Sequence, residues 1–231
     1  KMNNIRLSKL IECKTGSKEQ KRNYIGASSI GNACTRALWY DFHNYAKLPH
    51  ENKLLRTFEV GKKLEELVLQ WLDDCNLVIE RPHLDNNNLK LFDKENMCFQ
   101  GSMDALLHIN DKTFVIEIKT ARNASFNVFK KLGLKLWYER YYAQIQAYMG
   151  MSGHHQGYVI ALNKDTSDLH DELVIFDEIY FDCLRNKSFE IMCLDLKPDR
   201  INDSPLFYLC KMCEFRGTCH DNVSRETLSI D

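Results

Sequence analysis

Between Gly101 and Thr120 the chain reads "GSMDALLHINDKTFVIEIKT", and Asp104, Glu117 and Lys119 stand there among Met103, Leu106, Leu107, Val115, Ile116 and Ile118. The apolar runs on either side of Asn110-Asp111 predict two strands joined by a two-residue turn. With Ile109 opposite Lys112, counting outward places Asp104 opposite Glu117. Alternation of side chains then puts Lys119 on the Glu117 side. Directly opposed carboxylates destabilise a sheet, and a charge among apolar side chains is costly unless a partner or a metal ion compensates it. The same pair makes oxygen ligands for a hard divalent cation. A one-residue slip dismantles the arrangement, so the geometry is conditional on the turn. The plain alternative is a solvated hairpin face carrying a Glu/Lys pair.

The rest of the chain supplies a frame for this hairpin. "SSIGNACTRALWY" predicts a helix from Ile30 through Tyr40 capped by Ser28 or Ser29, and "LLRTFEVGKKLEELVLQWLDDC" a second, with Phe58, Gly61, Val68 and Leu72 at helical spacing. The polar loop "RPHLDNNNLK" follows. "KLFDKENMCFQGSMDALLHI" and "KTFVIEIKT" read as strands, "KKLGLKLWYERYYAQIQAYMG" as a helix ended by Gly150, and "GYVIALNK" as a strand. This order implies an α/β (α+β) fold with a central mixed β-sheet flanked by helices. We expect a single domain over residues 1–231, with a core at 54–197 and a small appendage formed by 28–40 and 198–220.

Composition narrows the setting. With 44% hydrophobic and 27% charged residues, the 231-residue chain has the make-up of a soluble globular protein. No stretch approaches the roughly 18 consecutive apolar residues of a membrane span, and the opening "KMNNIRLSKLIECKTGSKEQKR" lacks the apolar middle of a signal peptide. Met2 is the expected natural start, and the cytoplasm, or a host cell's cytoplasm for a phage-encoded protein, the expected location. Nine cysteines, an odd count, argue against a full disulfide framework. A formal net charge of −1 gives no global footprint for a polyanion, so nucleic-acid binding would need a local patch.

Two carboxylates that hold Mg2+ or Mn2+ beside a lysine suit phosphodiester hydrolysis, because the cation polarises the phosphoryl oxygen and the ammonium stabilises developing charge. The pattern Gly101-x-x-Asp104 followed by Glu117-Ile118-Lys119 resembles the core of the PD-(D/E)XK nuclease superfamily, and more narrowly its RecB-like branch. That branch carries a Gln-x-x-x-Tyr motif on the following helix, matched by Gln144 and Tyr148 in "AQIQAY", one helical face at i and i+4. A Gly-x-x-x-His motif on the preceding helix has its counterpart in Gly61 to Glu65, with glutamate at the histidine position. The resemblance implies a restriction-endonuclease-like core. It implies Asp104 and Glu117 as metal ligands, with Glu65 and the Ile118 carbonyl as further ones. Lys119 would activate water, and Gln144 and Tyr148 would position the substrate or Lys119. Glu66 and His83 are the alternatives to Glu65.

"CKMCEFRGTC" places Cys210, Cys213 and Cys219 in a C-x2-C-x5-C array, for which Cys34 is the candidate fourth thiolate. The combination is similar to the iron-sulfur RecB-like exonucleases, CRISPR-associated enzymes and the AddB nuclease subunit among them. It implies a [4Fe–4S] cluster, with tetrahedral Zn2+ as the alternative and His220 able to replace one cysteine. Cys13, Cys75, Cys98, Cys183 and Cys193 lack ligand spacing and are expected as buried apolar residues or bystanders.

From Lys119 to Arg140 the chain holds Arg122, Lys130, Lys131, Lys135 and Arg140, interleaved with Phe126, Phe129, Trp137 and Tyr138. Cations that track phosphates and aromatics that stack on bases are the means of single-strand binding, though the same residues suit a solvated helix over a core. Arg36 is a further candidate phosphate contact. The resemblance implies an exonuclease acting on single-stranded or resected DNA ends in recombination, phage DNA metabolism or CRISPR adaptation. It leaves open recombination or CRISPR partner proteins and a homo-oligomer. The competing readings are a non-cleaving module that grips DNA or a partner nuclease, and a zinc-tailed structural protein.

Overall fold

A computed structural model describes residues 23–81 and 90–220, together with Ser8. Cys13, His83 and most of the polar loop lie outside the described residues. In chain order the elements are β1 (Ile25–Gly26), α1 (Ala27–Ile30), α2 (Thr35–Phe42), α3 (Asn52–Asp74), β2 (Val78–Glu80), β3 (Lys90–Phe92), β4 (Phe99–Ser102), β5 (Ala105–Ile109) and β6 (Lys112–Ala121). They continue as α4 (Asn123–Leu132), α5 (Leu134–Trp137), α6 (Glu139–Ser152), β7 (Gln156–Asn163), β8 (Leu169–Ile175), α7 (Glu178–Cys193), α8 (Tyr208–Lys211) and α9 (Arg216–Cys219).

The fold is mixed α/β. A five-stranded sheet runs in the order β2-β5-β6-β7-β8, with β6 and β7 parallel and the other pairs antiparallel. A smaller sheet joins β1, β4 and β3. The β5–β6 register is the one expected from the turn, with Ile109 opposite Lys112 and Ala105 opposite Ile116. Asn110 adopts φ 52° to close it, a backbone state that asparagine tolerates better than most residues.

Strand β6 is central, so both of its faces are covered. Phe114, Ile116 and Ile118 join Val68, Leu107 and Leu162 beneath α3, and each fully buried aliphatic side chain there contributes about 1.5–3 kcal/mol. Val115 and Ala121 turn the other way, into the core shared with α4, α6 and α7. Alternation puts Glu117 and Lys119 on that second side, under α6.

Four features of the helix boundaries differ from expectation, each at a glycine or a serine. The helix expected over Ile30–Tyr40 is broken into α1 and α2, because the chain at Gly31 runs against α6. A Cβ there would stand 2.8 Å from both Ala143 Cβ and Arg140 Cα. Neither serine caps a helix N–H as expected; the Ser29 hydroxyl instead donates to the Gly26 carbonyl at 2.9 Å. The helix expected over Lys130–Gly150 is three elements, divided where Gly133 takes φ 78°. Gly150 lies inside α6 rather than ending it, and its missing side chain makes room for Phe181, whose ring atoms would stand 2.5 Å from a Cβ. Gly153, at φ 75°, is the true left-handed cap.

The C-terminal segment lies against α2. Trp39 Nε1 donates to the Leu194 carbonyl at 2.8 Å, Leu48 N to the Glu214 carbonyl at 2.7 Å, and Thr218 Oγ1 to the Ala46 carbonyl at 2.8 Å. No helix among the described residues is long and apolar enough to cross a membrane.

Candidate active site

Glu117 is only 2% exposed. Its Oε1 accepts hydrogen bonds from Lys119 Nζ and, at 2.7 Å, from Gln144 Nε2. Its Oε2 is buried with no hydrogen-bond partner. Asp104 stands one residue beyond the last β5–β6 pair, and its Oδ2 accepts from Ile118 N at 2.7 Å. The two carboxylates and Lys119 are therefore gathered at the end of the hairpin, as its register demands.

Helix α6 supplies the third side. Gln144 Nε2 also donates to Tyr148 Oη at 2.8 Å, so the pair at i and i+4 acts as one unit braced on Glu117 and not on Lys119. Tyr148 in turn packs over Gly101, where a Cβ would stand 2.5 Å from Tyr148 Cε1. The glycine of the sequence pattern is thus a packing requirement of the tyrosine.

Glu65 and Glu66 separate cleanly. Glu66 is exposed and paired with Lys63 at 2.7 Å, whereas Glu65 is half-buried and feels the charges of Asp104 and Lys119. Gly61, on the same helix, has no comparable packing role, since a Cβ would meet only Thr120 Oγ1, at 3.6 Å.

Burial, and then the Asp104 carboxylate, push Glu117 up to about 8, with Lys119 opposing. Burial also raises Asp104 against the pull of Lys119 and of the Ile118 N–H, and raises Glu65, with Asp104 adding to it. For Lys119 burial works downward, but Glu117 and Asp104 outweigh it and hold the ammonium above its ordinary value. Three acids whose pKa values are all pushed upward around one lysine form a site short of positive charge.

Among the described residues no three His, Cys, Asp or Glu side chains are grouped as a metal ion would require. The chemistry of the donors nevertheless suits a hard cation: Glu117 Oε2 lacks a hydrogen-bond partner, and the carboxylates of Asp104 and Glu65 are near enough to raise its pKa. A residue that the sequence patterns did not single out also belongs here. Tyr141 presents its ring to Lys119 Nζ, 4.8 Å from the centroid; its place three residues before Gln144 on the same helical face was the available signal.

Cys34, Cys210, Cys213 and Cys219 line one cavity of about 910 Å³, together with His220, Arg36 and Arg200. Burial first, and then the Cys34, Cys219 and Cys210 sulfurs, push the Cys213 thiol up to about 11 against a backbone hydrogen bond at Phe215. Of the cysteines expected as buried or bystanders, Cys75, Cys183 and Cys193 are exposed.

Arg36 does not sit as an exposed phosphate contact. It is 8% exposed, and its guanidinium donates to the Pro198 carbonyl and toward Cys219 Sγ at 3.7 Å. Arg122, Lys130, Lys131 and Lys135 are exposed, as a phosphate-tracking surface requires. The interleaved aromatics divide: Phe126 and Phe129 are core residues that no base can reach, and Tyr138 is 43% exposed.

Residues 18–155, which include Glu65, Asp104, Glu117, Lys119, Gln144 and Tyr148, match the profile of the YqaJ-like viral recombinase domain. Among solved structures, the fold is similar to that of an alkaline exonuclease (LHK-Exo) from Laribacter hongkongensis, with 13% identity over 74% of this chain and 87% of that one, at a TM-score of 0.55. It is similar to SSO0001, with 19% identity over 95% and 98% of the two chains at a TM-score of 0.56. A phage-related exonuclease from Haemophilus somnus 129PT shares 14% identity over 73% and 91%, at a TM-score of 0.53. No curated protein sequence matches the chain.

Proposed function

The chain belongs to the YqaJ-like viral recombinase domain family, and on that premise we propose that it is a Mg2+- or Mn2+-dependent DNA exonuclease acting on single-stranded or resected ends. The observation that carries the reading is the gathering of Asp104, Glu117 and Lys119 at the end of the hairpin, with Glu117 Oε2 buried there without a hydrogen-bond partner. Structures similar to this one include proteins named as exonucleases. Recombination or phage DNA metabolism is the setting we favour over CRISPR adaptation, because the matching family is that of a viral recombinase domain.

In this reading Asp104, Glu117 and Glu65, with the Ile118 carbonyl, hold the cation. When bound, the cation supplies Lewis-acid polarisation of the phosphoryl oxygen and lowers the pKa of attacking water. Lys119 donates its charge to the developing oxyanion and orients the water. Gln144 holds Glu117 Oε1, which would leave Oε2 free as a ligand, and Tyr148 fixes Gln144. Arg122, Lys130, Lys131 and Lys135 track the phosphates of the incoming strand.

We read Cys34, Cys210, Cys213 and Cys219 as a metal–thiolate site for a [4Fe–4S] cluster or Zn2+; their shared cavity and mutual influence support it. Its role would be to tie α2 to the C-terminal segment, since hydrolysis needs no electron transfer. Metal analysis and the visible spectrum of anaerobically purified protein distinguish iron from zinc, and Cys213→Ser should lose the metal.

The test of the activity is degradation of end-labelled single- and double-stranded DNA with Mg2+, Mn2+ or EDTA. Cleavage that needs the cation and disappears in folded Glu117→Ala and Lys119→Ala is the expected result. A pure, cation-supplied protein that binds DNA and leaves it intact would sink the reading in favour of a non-cleaving binding module.

A further inference from the structure

Lys119 Nζ makes two direct contacts that can hold an ammonium, and the Asp104 carboxylate acts on it as well. One is Glu117, whose Oε1 it shares with Gln144. The other is Tyr141, whose ring centroid lies 4.8 Å from Lys119 Nζ, inside the range where the ring's electron-rich face attracts a cation. Tyr141, Gln144 and Tyr148 follow one another along the same face of α6.

The ring of Tyr141 is itself held. Tyr138 packs on it at 4.5 Å and 48°, and Trp137 meets it edge-on at 5.3 Å and 63°. Trp137 in turn stacks on the buried Phe129 at 4.5 Å and 12°, and its Nε1 donates to Ser125 Oγ at 2.7 Å. A chain of aromatic contacts therefore runs from α4 through α5 to Lys119. Phe129, Trp137 and Tyr138 are among the aromatics whose alternation with lysines suggested a base-stacking surface.

The two holds on Lys119 respond differently to a cation. A divalent ion on Glu117 competes for that carboxylate and repels the ammonium beside it. A ring face offers a metal ion no carboxylate oxygen, so it keeps its attraction for the lysine when Glu117 is engaged. We propose that Tyr141 is a positioning residue whose ring face holds the Lys119 ammonium beside the scissile phosphate while Glu117 is committed to the metal. The inference rests on the nuclease reading above and adds to it a residue outside the motifs that suggested it.

The test compares the full chain with Tyr141→Phe, Tyr141→Leu and a variant carrying the electron-poor ring of 4-cyanophenylalanine at position 141. Two quantities are read: kcat and KM on end-labelled DNA across a Mg2+ titration, and the Lys119 Cε–Hε resonances in protein grown on 13C-labelled lysine, with and without Mg2+. Tyr141→Phe should keep kcat within about twofold and keep the upfield, ring-shifted Lys119 signal. Tyr141→Leu should lose about tenfold in kcat with KM and the Mg2+ requirement unchanged, and its Lys119 signal should return to the position of exposed lysines. The cyano ring, which preserves shape and fold, should fall between them.

A Leu variant as fast as the Phe variant overturns the inference, as does a Phe variant as slow as the Leu variant, which would assign the role to the hydroxyl. A Lys119 signal that leaves the ring on adding Mg2+ overturns it as well. If the wild type cuts no DNA, the nuclease reading falls on its own, and the Lys119 resonance still decides whether the ring holds the ammonium.

Discussion

Two glycines stand in the motif-like patterns of this chain, and the structure assigns them opposite sensitivities. A Cβ at Gly101 would lie 2.5 Å from Tyr148 Cε1, 3.1 Å from Cδ1 and 2.9 Å from Ala27 Cβ. Tyr148 is 3% exposed and Ala27 fully buried, so neither has open space to enter. Restoring ordinary contact requires a shift of about 1 Å, and overpacking of this kind costs about 1–3 kcal/mol. The shift also carries the Tyr148 hydroxyl away from Gln144, which braces Glu117, and a displacement of that size near a reacting centre costs about a hundredfold in rate.

Gly61 is the control. It lies inside α3 with only Thr120 Oγ1 within reach of a Cβ, at 3.6 Å. Gly61→Ala should stabilise the protein by up to about 1 kcal/mol, through helix propensity alone. The assay is urea unfolding of both variants in EDTA, followed by single-turnover cleavage with Mg2+. Gly101→Ala with wild-type stability, or Gly61→Ala with the larger loss, would refute the packing argument.

Three further outcomes are expected. In EDTA, folded Glu117 holds its proton up to about 8 against an ordinary value of 4.5; the native state thus binds more protons than the unfolded one, and stability should fall as pH rises across that window. Asp104 and Glu65, also raised, act with the same sign; denaturation midpoints at several pH values should show the slope, Glu117→Gln should flatten it, and a midpoint that climbs with pH would count against the burial described here. Asp93 is 1% exposed and bonded to Arg185 Nε at 3.0 Å and Asn96 N at 2.8 Å, so Asp93→Ala should cost about 3 kcal/mol in urea unfolding, the low end of the range because Arg185 keeps Asp182 and Glu95. Gly153 has φ 75° with nothing within 4 Å of a Cβ, so Gly153→Ala should cost about 1–2 kcal/mol from backbone strain alone, and Gly153→Asn less, by the same measurement.

The hairpin was legible because its information is local. Asn110 and Asp111 close a two-residue turn, and the turn alone sets which residues face each other, so the approach of Asp104 to Glu117 followed from counting. The common face of Gln144 and Tyr148 followed equally from the helical period. The choice of Glu65 over Glu66 was readable from its place beside the apolar stripe of α3.

Tertiary packing decided the rest. Gly31 breaks a helix, Gly150 does not end one and Gly133 divides one, because what matters at each is a neighbour distant in sequence or a backbone angle: α6, Phe181 and φ 78° respectively. Arg36 and Phe129 look like surface and stacking residues in the chain, yet one is buried against Pro198 and Cys219 and the other under Trp137. Tyr141 carries no motif at all and matters only because β6 delivers Lys119 beneath its ring. Turn geometry and helical period act over a few residues and are written in order along the chain, whereas burial and charge compensation depend on which distant side chains the folded core brings within a few ångströms.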